Sequence, residues 1–222
     1  MPARLAPGAA WQAGGVDSGE EHKALVRRGY DAVSYHYRAD GDDDAGERGE
    51  WIARLVSRLP AGAAVLDLGC GCGVPVAKAL VQAGCAVTGV DLSDVQVDRA
   101  RRLVPEATFL RADASDVSFP ARSFDAVVSL YMFIHLPMDE QAPLIGHIAQ
   151  WLKPGGILLV TTGHTAWTGT DPDWLGGGAP MWWSHPDAAT YRAWFNEAGL
   201  SVVSEEFVPE GGGGHALFWC QR

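Results

Sequence analysis

The run Val65-Leu66-Asp67-Leu68-Gly69-Cys70-Gly71-Cys72-Gly73 sets an acid inside an apolar strand and follows it with three glycines at alternate positions. Glycine takes positive φ at little cost and lets a ligand press against bare backbone. The apolar segment Val74 to Ala83 comes next, so the turn delivers free N–H groups at a helix N-terminus. A second apolar strand, Ala86 to Val90, ends in Asp91, eighteen residues past Gly73. A carboxylate there is placed to accept hydrogen bonds from a ribose diol. A third acid, Asp113, stands with Ala114 at the end of the strand Thr108 to Ala112. After a fourth strand, Ser123 to Leu130, come Tyr131 and His135, the latter the first candidate for a general base.

The elements around these residues read as alternating strands and helices. Pro75 suits the first turn of the helix after the glycines, where a missing N–H removes no hydrogen bond. Ser93-Asp94-Val95-Gln96 has the form of a capping box and fixes the start of the next helix. The spacing predicts a helix over Asp139 to Leu152, with Pro143 a point of interruption. Lys153-Pro154-Gly155-Gly156 is a turn into the strand Ile157 to Thr162. A helix over Asp187 to Ala198 precedes two strands, Leu200 to Val208 and His215 to Cys220, joined by a turn at Glu210 to Gly214. Strands joined so closely must run antiparallel. Upstream, an amphipathic helix covers about Gly49 to Leu59, with Trp51, Ile52, Leu55, Val56 and Leu59 on one face. Residues 39–47 form a charged, glycine-broken linker, and residues 1–20 are a flexible N-terminus.

With 222 residues, 47% of them apolar, the chain can bury one sizeable core. A formal charge of −10 argues against a nucleic-acid backbone or an anionic membrane as partner. No apolar run is long enough to span a bilayer, and the N-terminus lacks a secretory pattern, which predicts a cytoplasmic protein. The cysteines at 70, 72, 85 and 220 form neither a disulfide framework nor a zinc cluster, and no metal is expected.

The glycine spacing narrows the ligand. Dinucleotide enzymes use G-x-G-x-x-G to seat a pyrophosphate, but here Val74 occupies the sixth position and Pro75 the seventh. G-x-G-x-G after Val-Leu-Asp-Leu resembles motif I of the class I S-adenosylmethionine (SAM)-dependent methyltransferases. Ser123-Phe124-Asp125-Ala126-Val127-Val128-Ser129 resembles their fourth-strand wording, and Leu152-Lys153-Pro154-Gly155-Gly156 their turn before the fifth strand. Tyr30-Asp31-Ala32-Val33-Ser34-Tyr35-His36-Tyr37 is similar to a Y-D-x-x-A-x-x-Y segment that folds over cofactor and substrate in small-molecule members, with Ser34-Tyr35 where Ala and a charged residue are common. The loop from Tyr131 to Leu136 is not the [DN]-P-P-[YF] of exocyclic-amine methylation, so DNA loses support as a substrate. Specific motifs cover residues 60–162, and topology alone carries the remainder.

The resemblance implies an α/β fold, a Rossmann-like seven-stranded sheet with helices on both faces and the last strand antiparallel. It implies a helical lid over 21–59 and a SAM-binding domain over 60–222, with a substrate-pocket insertion at 163–186. For the cofactor it points to Asp67 toward the methionine amine, Gly69, Cys70 and Gly71 at the turn, and Asp91 on the ribose. Leu92 lies against the adenine, Asp113 and Ala114 read its edge, and the Leu130 carbonyl meets the ammonium. Tyr30 or Tyr35 reaches the carboxylate, with Gln96 and His135 as further contacts. Four of the nine tryptophans fall between Gly163 and Pro186. Tyr131, His164, Trp167, Trp182, Trp183 and His185 are the substrate candidates, since aromatic walls suit a flat or cationic acceptor. The implied reaction is methyl transfer to a small molecule, an aromatic or amine-bearing natural product, with S-adenosylhomocysteine as product and a monomer or homodimer as catalyst. The alternatives are a SAM-using lyase or cyclase that releases methylthioadenosine, and a protein methyltransferase.

Overall fold

A computed structural model of the chain describes residues 19–41 and 46–222. The segment expected to be flexible, 1–20, lies outside them except for Gly19 and Glu20, as do residues 42–45 of the expected linker. The elements run α1 (Gly19–Tyr37), α2 (Gly46–Val56), β1 (Ala64–Leu68), α3 (Val76–Gln82), β2 (Ala86–Asp91), α4 (Asp94–Leu103), β3 (Thr108–Arg111) and β4 (Phe124–Ser129). A 3₁₀ turn (Phe133–His135) leads to α5 (Met138–Trp151), β5 (Leu152–Gly163), β6 (Trp167–Asp171), β7 (Met181–His185), α6 (Ala188–Glu197), β8 (Ser201–Glu210) and β9 (Gly213–Gln221).

Seven strands make one sheet in the order β3-β2-β1-β4-β5-β9-β8, as the resemblance implies. β1 to β5 are parallel, and β9 lies antiparallel between β5 and β8. Alternate side chains of a strand face opposite ways, and each face here has its own core. Leu66, Val127, Leu158 and Phe218 pack with Ile145 and Ile148 of α5 and Phe195 of α6. Val65, Ala126, Leu159 and Trp219 pack on the other side with Leu55 of α2, Leu80 of α3 and Val97 of α4. Strands covered on both faces need unbroken apolar runs, which is why β1 and β4 read that way in the sequence.

Three details differ from the sequence reading. Helix α5 continues through Pro143 without a break. The Lys-Pro-Gly-Gly stretch belongs to β5 itself, with the register against β4 shifting between Phe124 and Ala126; Gly155 at φ +79° absorbs the irregularity. The tryptophan segment is a hairpin, for β6 and β7 pair antiparallel as a second, two-stranded sheet.

Helix α1 crosses from this hairpin to α4. Gly29 allows the approach, because a Cβ there would stand 2.7 Å from Met181 Cε and 2.8 Å from the Pro180 carbonyl oxygen. At its far end the buried Arg99 of α4 donates to the Ser34 carbonyl at 2.6 Å, to Ser34 Oγ at 2.7 Å and to Asp40 at 2.7 and 2.9 Å. A buried guanidinium is tolerated when its donors are matched in this way.

Candidate active site

The strand order reverses between β1 and β4, and in open α/β sheets ligands lodge beyond the carboxyl ends of the strands at such a point. Here the glycine turn leaves β1, with Gly69, Gly71 and Gly73 at φ +74°, +53° and +78°. The glycines have different reasons. A Cβ on Gly69 would fall 2.5 Å from Met132 Cβ, so that position is small for packing; a Cβ on Gly71 would meet nothing within 4 Å. Gly71 therefore faces open space. Asp91, at the end of β2, locks the turn by accepting from the Gly71 N–H at 2.8 Å and the Ser93 N–H at 2.9 Å. Burial raises the Asp91 carboxyl above its usual range, against the pull of these N–H groups.

Two cavities meet at the turn. The larger spans about 790 Å³, part of it open to solvent, room for a nucleoside-sized ligand. Of the residues singled out from sequence, Tyr30, Gly69, Gly71, Asp91, Leu92, Gln96, Asp113, Ala114, Leu130, Tyr131 and His135 line it. The adjoining cavity is walled by Asp67 and Cys70 and shares Gly69, Gly71, Gln96, Leu130 and Tyr131. Asp67 is 2% exposed, and its Oδ2 has no hydrogen-bond partner among the described residues. Burial, with the nearby Asp91 charge, lifts its carboxyl from 3.8 to about 7. Such a group accepts an ammonium readily. Arg48 of α2 lines the same cavity, its guanidinium 4.7 Å above the Tyr131 ring.

His135 closes the 3₁₀ turn after β4 and is 6% exposed. Its Nδ1 lies 2.7 Å from the Trp182 carbonyl oxygen and its Nε2 3.0 Å from the Tyr30 hydroxyl. Burial lowers the imidazole from 6.5 to about 4, so it is neutral at physiological pH. Burial likewise holds the Tyr30 phenol well above its ordinary range. Tyr131 sits at φ +66°, a strained conformation for a large residue and one that marks functional loops.

The remaining expectations land elsewhere. Tyr35 lies on the outer side of α1, its ring 4.0 Å from the Arg99 guanidinium and its hydroxyl accepting from Arg102 at 3.0 Å. Trp182 is buried against Val26 and stacks on His22 at 4.1 Å, which fastens the hairpin to α1. Trp183 touches His135, Trp167 and Trp174 behind the cavity wall. His164 packs on Phe207, and His185 lies near Trp167 and Pro186. None of these six lines either cavity.

Several wall residues were not chosen as site candidates in the sequence: Lys23, Val26, Tyr37, which entered only as the end of the aromatic segment, and Arg48. The first three repeat at helical spacing with Tyr30, and that face of α1 was readable. Lys23 is 5% exposed and pairs with Asp113 at 2.8 Å, Glu20 at 2.7 Å and Glu140 at 3.0 Å. Burial works against its charge, but the hydrogen bonds to the three carboxylates, Asp113 first, outweigh it and raise the ammonium. Arg48 left no local signal, since only the folded chain brings α2 to the turn. No group of metal-binding side chains occurs among the described residues.

Residues 65–156 match the family model described as a methyltransferase domain. The chain is 41% identical over 105 residues to the 2-methyl-6-phytyl-1,4-hydroquinone methyltransferase of Synechocystis sp., covering 46% of this chain and 32% of that protein. It is 34% identical over 131 residues to the 27-O-demethylrifamycin SV methyltransferase of Amycolatopsis mediterranei, covering 54% and 47%. The chain thus spans less than half the length of these relatives. The crystal structure of an S-adenosylmethionine-dependent methyltransferase from Mesorhizobium loti superposes with a TM-score of 0.63 at 25% identity, covering 78% of this chain and 98% of that one. Residues 65–156 thus match a methyltransferase domain, and the fold superposes on that of an S-adenosylmethionine-dependent methyltransferase.

Proposed function

We propose that the protein transfers the methyl group of SAM to a small-molecule acceptor. The observation that carries the reading is the unpartnered, buried Asp67 carboxylate beside the open glycine turn. An α-ammonium satisfies it, and Arg48 across the same cavity suits the α-carboxylate of that amino-acid end. Asp91 would take the ribose diol and Asp113 the adenine edge, both at the larger cavity. SAM supplies an electrophilic methyl on a sulfonium. The chain's residues need only align donor and acceptor, exclude water and, where the acceptor carries a proton, receive it. We assign α1 the part of a lid, since Lys23 and Tyr30 wall the cavity from above the strand ends. An intracellular role in natural-product methylation is in keeping with the rifamycin relative. The Trp167 to His185 hairpin then supports the lid and the loop carrying His135, instead of forming the acceptor wall directly.

Incubation with methyl-deuterated SAM and a small-molecule extract, read by mass spectrometry, tests the proposal. S-adenosylhomocysteine with a deuteromethyl metabolite is expected. Methylthioadenosine without transfer of label would point instead to a lyase or cyclase on the same fold.

A further inference from the structure

Asp113 is held by both of its oxygens. Oδ1 accepts from the Ser115 N–H at 2.8 Å, and Oδ2 pairs with the buried Lys23 ammonium at 2.8 Å. The same nitrogen reaches Glu20 at 2.7 Å and Glu140 at 3.0 Å. An ammonium has three N–H donors, so the three carboxylates engage them all and leave none for a ligand. Each Asp113 oxygen keeps a free lone pair, and both Lys23 and Asp113 line the larger cavity. One ammonium among three carboxylates leaves the cluster negative on balance. It favours a ligand edge that carries N–H donors and disfavours one that carries a carbonyl oxygen.

We propose that Lys23 is a positioning residue for nucleobase selection: it fixes Asp113 as an acceptor-only carboxylate that takes an aminopurine and rejects an oxopurine. The proposal rests on the SAM reading and on Asp113 meeting the adenine edge. It goes beyond both by giving the choice of base to a lysine of α1 that has no donor left for the base itself. The reason lies in what the acid would do without that lysine. Asp113 Oδ2 and Glu140 Oε1 both lie within 3.0 Å of Lys23 Nζ, so removing the ammonium leaves two carboxylates facing each other across the vacated space. Like charges this close favour uptake of a proton. A protonated Asp113 donates as well as accepts, and it then suits a purine carbonyl. Ser115 does not replace Lys23, because a backbone N–H holds one oxygen but carries no charge to set against Glu140. Since Lys23 stands on α1 and Asp113 follows β3, the base is read correctly only while α1 lies in place.

The test is binding to the full chain, read by calorimetry at pH 7, with S-adenosylhomocysteine and S-inosylhomocysteine, its oxopurine counterpart. The wild type should prefer the adenine compound by about a hundredfold or more. Lys23→Met should cut that preference about tenfold, whereas Lys23→Arg, which keeps the charge, should hold it within about threefold of wild type. A lysine that merely fastened α1 would, on removal, weaken both ligands alike and leave their ratio where it was. An unchanged ratio in Lys23→Met therefore overturns the proposal. Lys23→Gln, neutral but still a donor, reports the same ratio should Lys23→Met not fold, and the same fall is expected of it. Asp113→Asn tests the contact beneath: its amide can donate, so the preference should swing toward the oxopurine, and no swing would remove Asp113 from the base and the proposal with it. A wild-type chain that binds neither compound would instead overturn the SAM reading itself.

Discussion

Asp67 gives the sharpest prediction, because one buried oxygen should couple SAM binding to pH. Its folded-state carboxyl titrates at about 7 instead of 3.8, through burial and the Asp91 charge. An ammonium binds the ionised form, so the ligand-free protein must first lose a proton. Between pH 5.5 and 7 the ionised fraction rises from about 3% to about 50%, which should tighten SAM binding about fifteenfold, or about 1.6 kcal/mol. Calorimetry at pH 5.5 in buffers of different ionisation enthalpy should show close to one proton released per SAM bound. Asp67→Asn should bind more weakly at pH 7 and lose both the slope and the proton. A wild-type affinity flat across this range, or the same slope in Asp67→Asn, would refute the reasoning. Stability moves the opposite way. The folded chain holds this proton more tightly than the unfolded chain, so Asp67 lowers stability as pH climbs from about 4 to about 7, by about 4 kcal/mol in all.

Other substitutions separate the roles of neighbouring residues. Asp91→Ala should weaken SAM binding more than tenfold in calorimetry, because it removes the proposed ribose contact and also frees the Gly71 and Ser93 N–H groups. Gly69→Ala should lower the melting temperature markedly through its clash with Met132, whereas Gly71→Ala should cost about 1 kcal/mol of stability yet abolish detectable SAM binding. Arg99→Leu should destabilise the fold by about 2 kcal/mol and raise amide exchange across the C-terminal half of α1, since it strips the charged donors from Ser34. His135 should oppose Asp67 in acid. Its imidazole titrates at about 4 when folded and 6.5 when free. The unfolded chain therefore binds the proton first, and stability from this group is full above about 6.5 and lost as pH falls to about 4. His135→Gln should remove that acid loss in thermal melts taken between pH 4 and 7.

The glycine-turn side of the candidate site was legible because local rules build it. A strand, a glycine turn and a helix cap bring Gly69, Gly71, Asp91 and Gln96 together with few long-range choices. Asp113 and Leu130 were readable as strand ends. The acceptor side was not, because it depends on which face of a hairpin meets which helix. Trp167, Trp182 and Trp183 were expected to line a cavity, yet β6 and β7 pair with each other and spend those rings on α1 and on one another. Tyr35 failed for a simpler reason of angle. Five residues past Tyr30, it projects from another side of the helix, where Arg99 and Arg102 hold it. Arg48 and Lys23 look like ordinary surface charges in sequence, and only packing against the turn and Asp113 gives them a place at the site.

One helix joins the two halves of this chemistry. Lys23 of α1 reaches Asp113 at the expected adenine end, Tyr30 two turns later meets His135 at the expected acceptor end, and Ser34 one turn further is held by the buried Arg99. A rigid helix cannot shift one of these contacts and leave the others in place. Displacing α1 far enough to admit a ligand past Lys23 would also draw the Tyr30 hydroxyl from His135 Nε2. The Tyr30–His135 hydrogen bond is then made only when the helix lies across the cavity. Arg99, well removed from the reacting atoms, should therefore influence turnover as well as stability, because it holds the end of the helix that carries Tyr30.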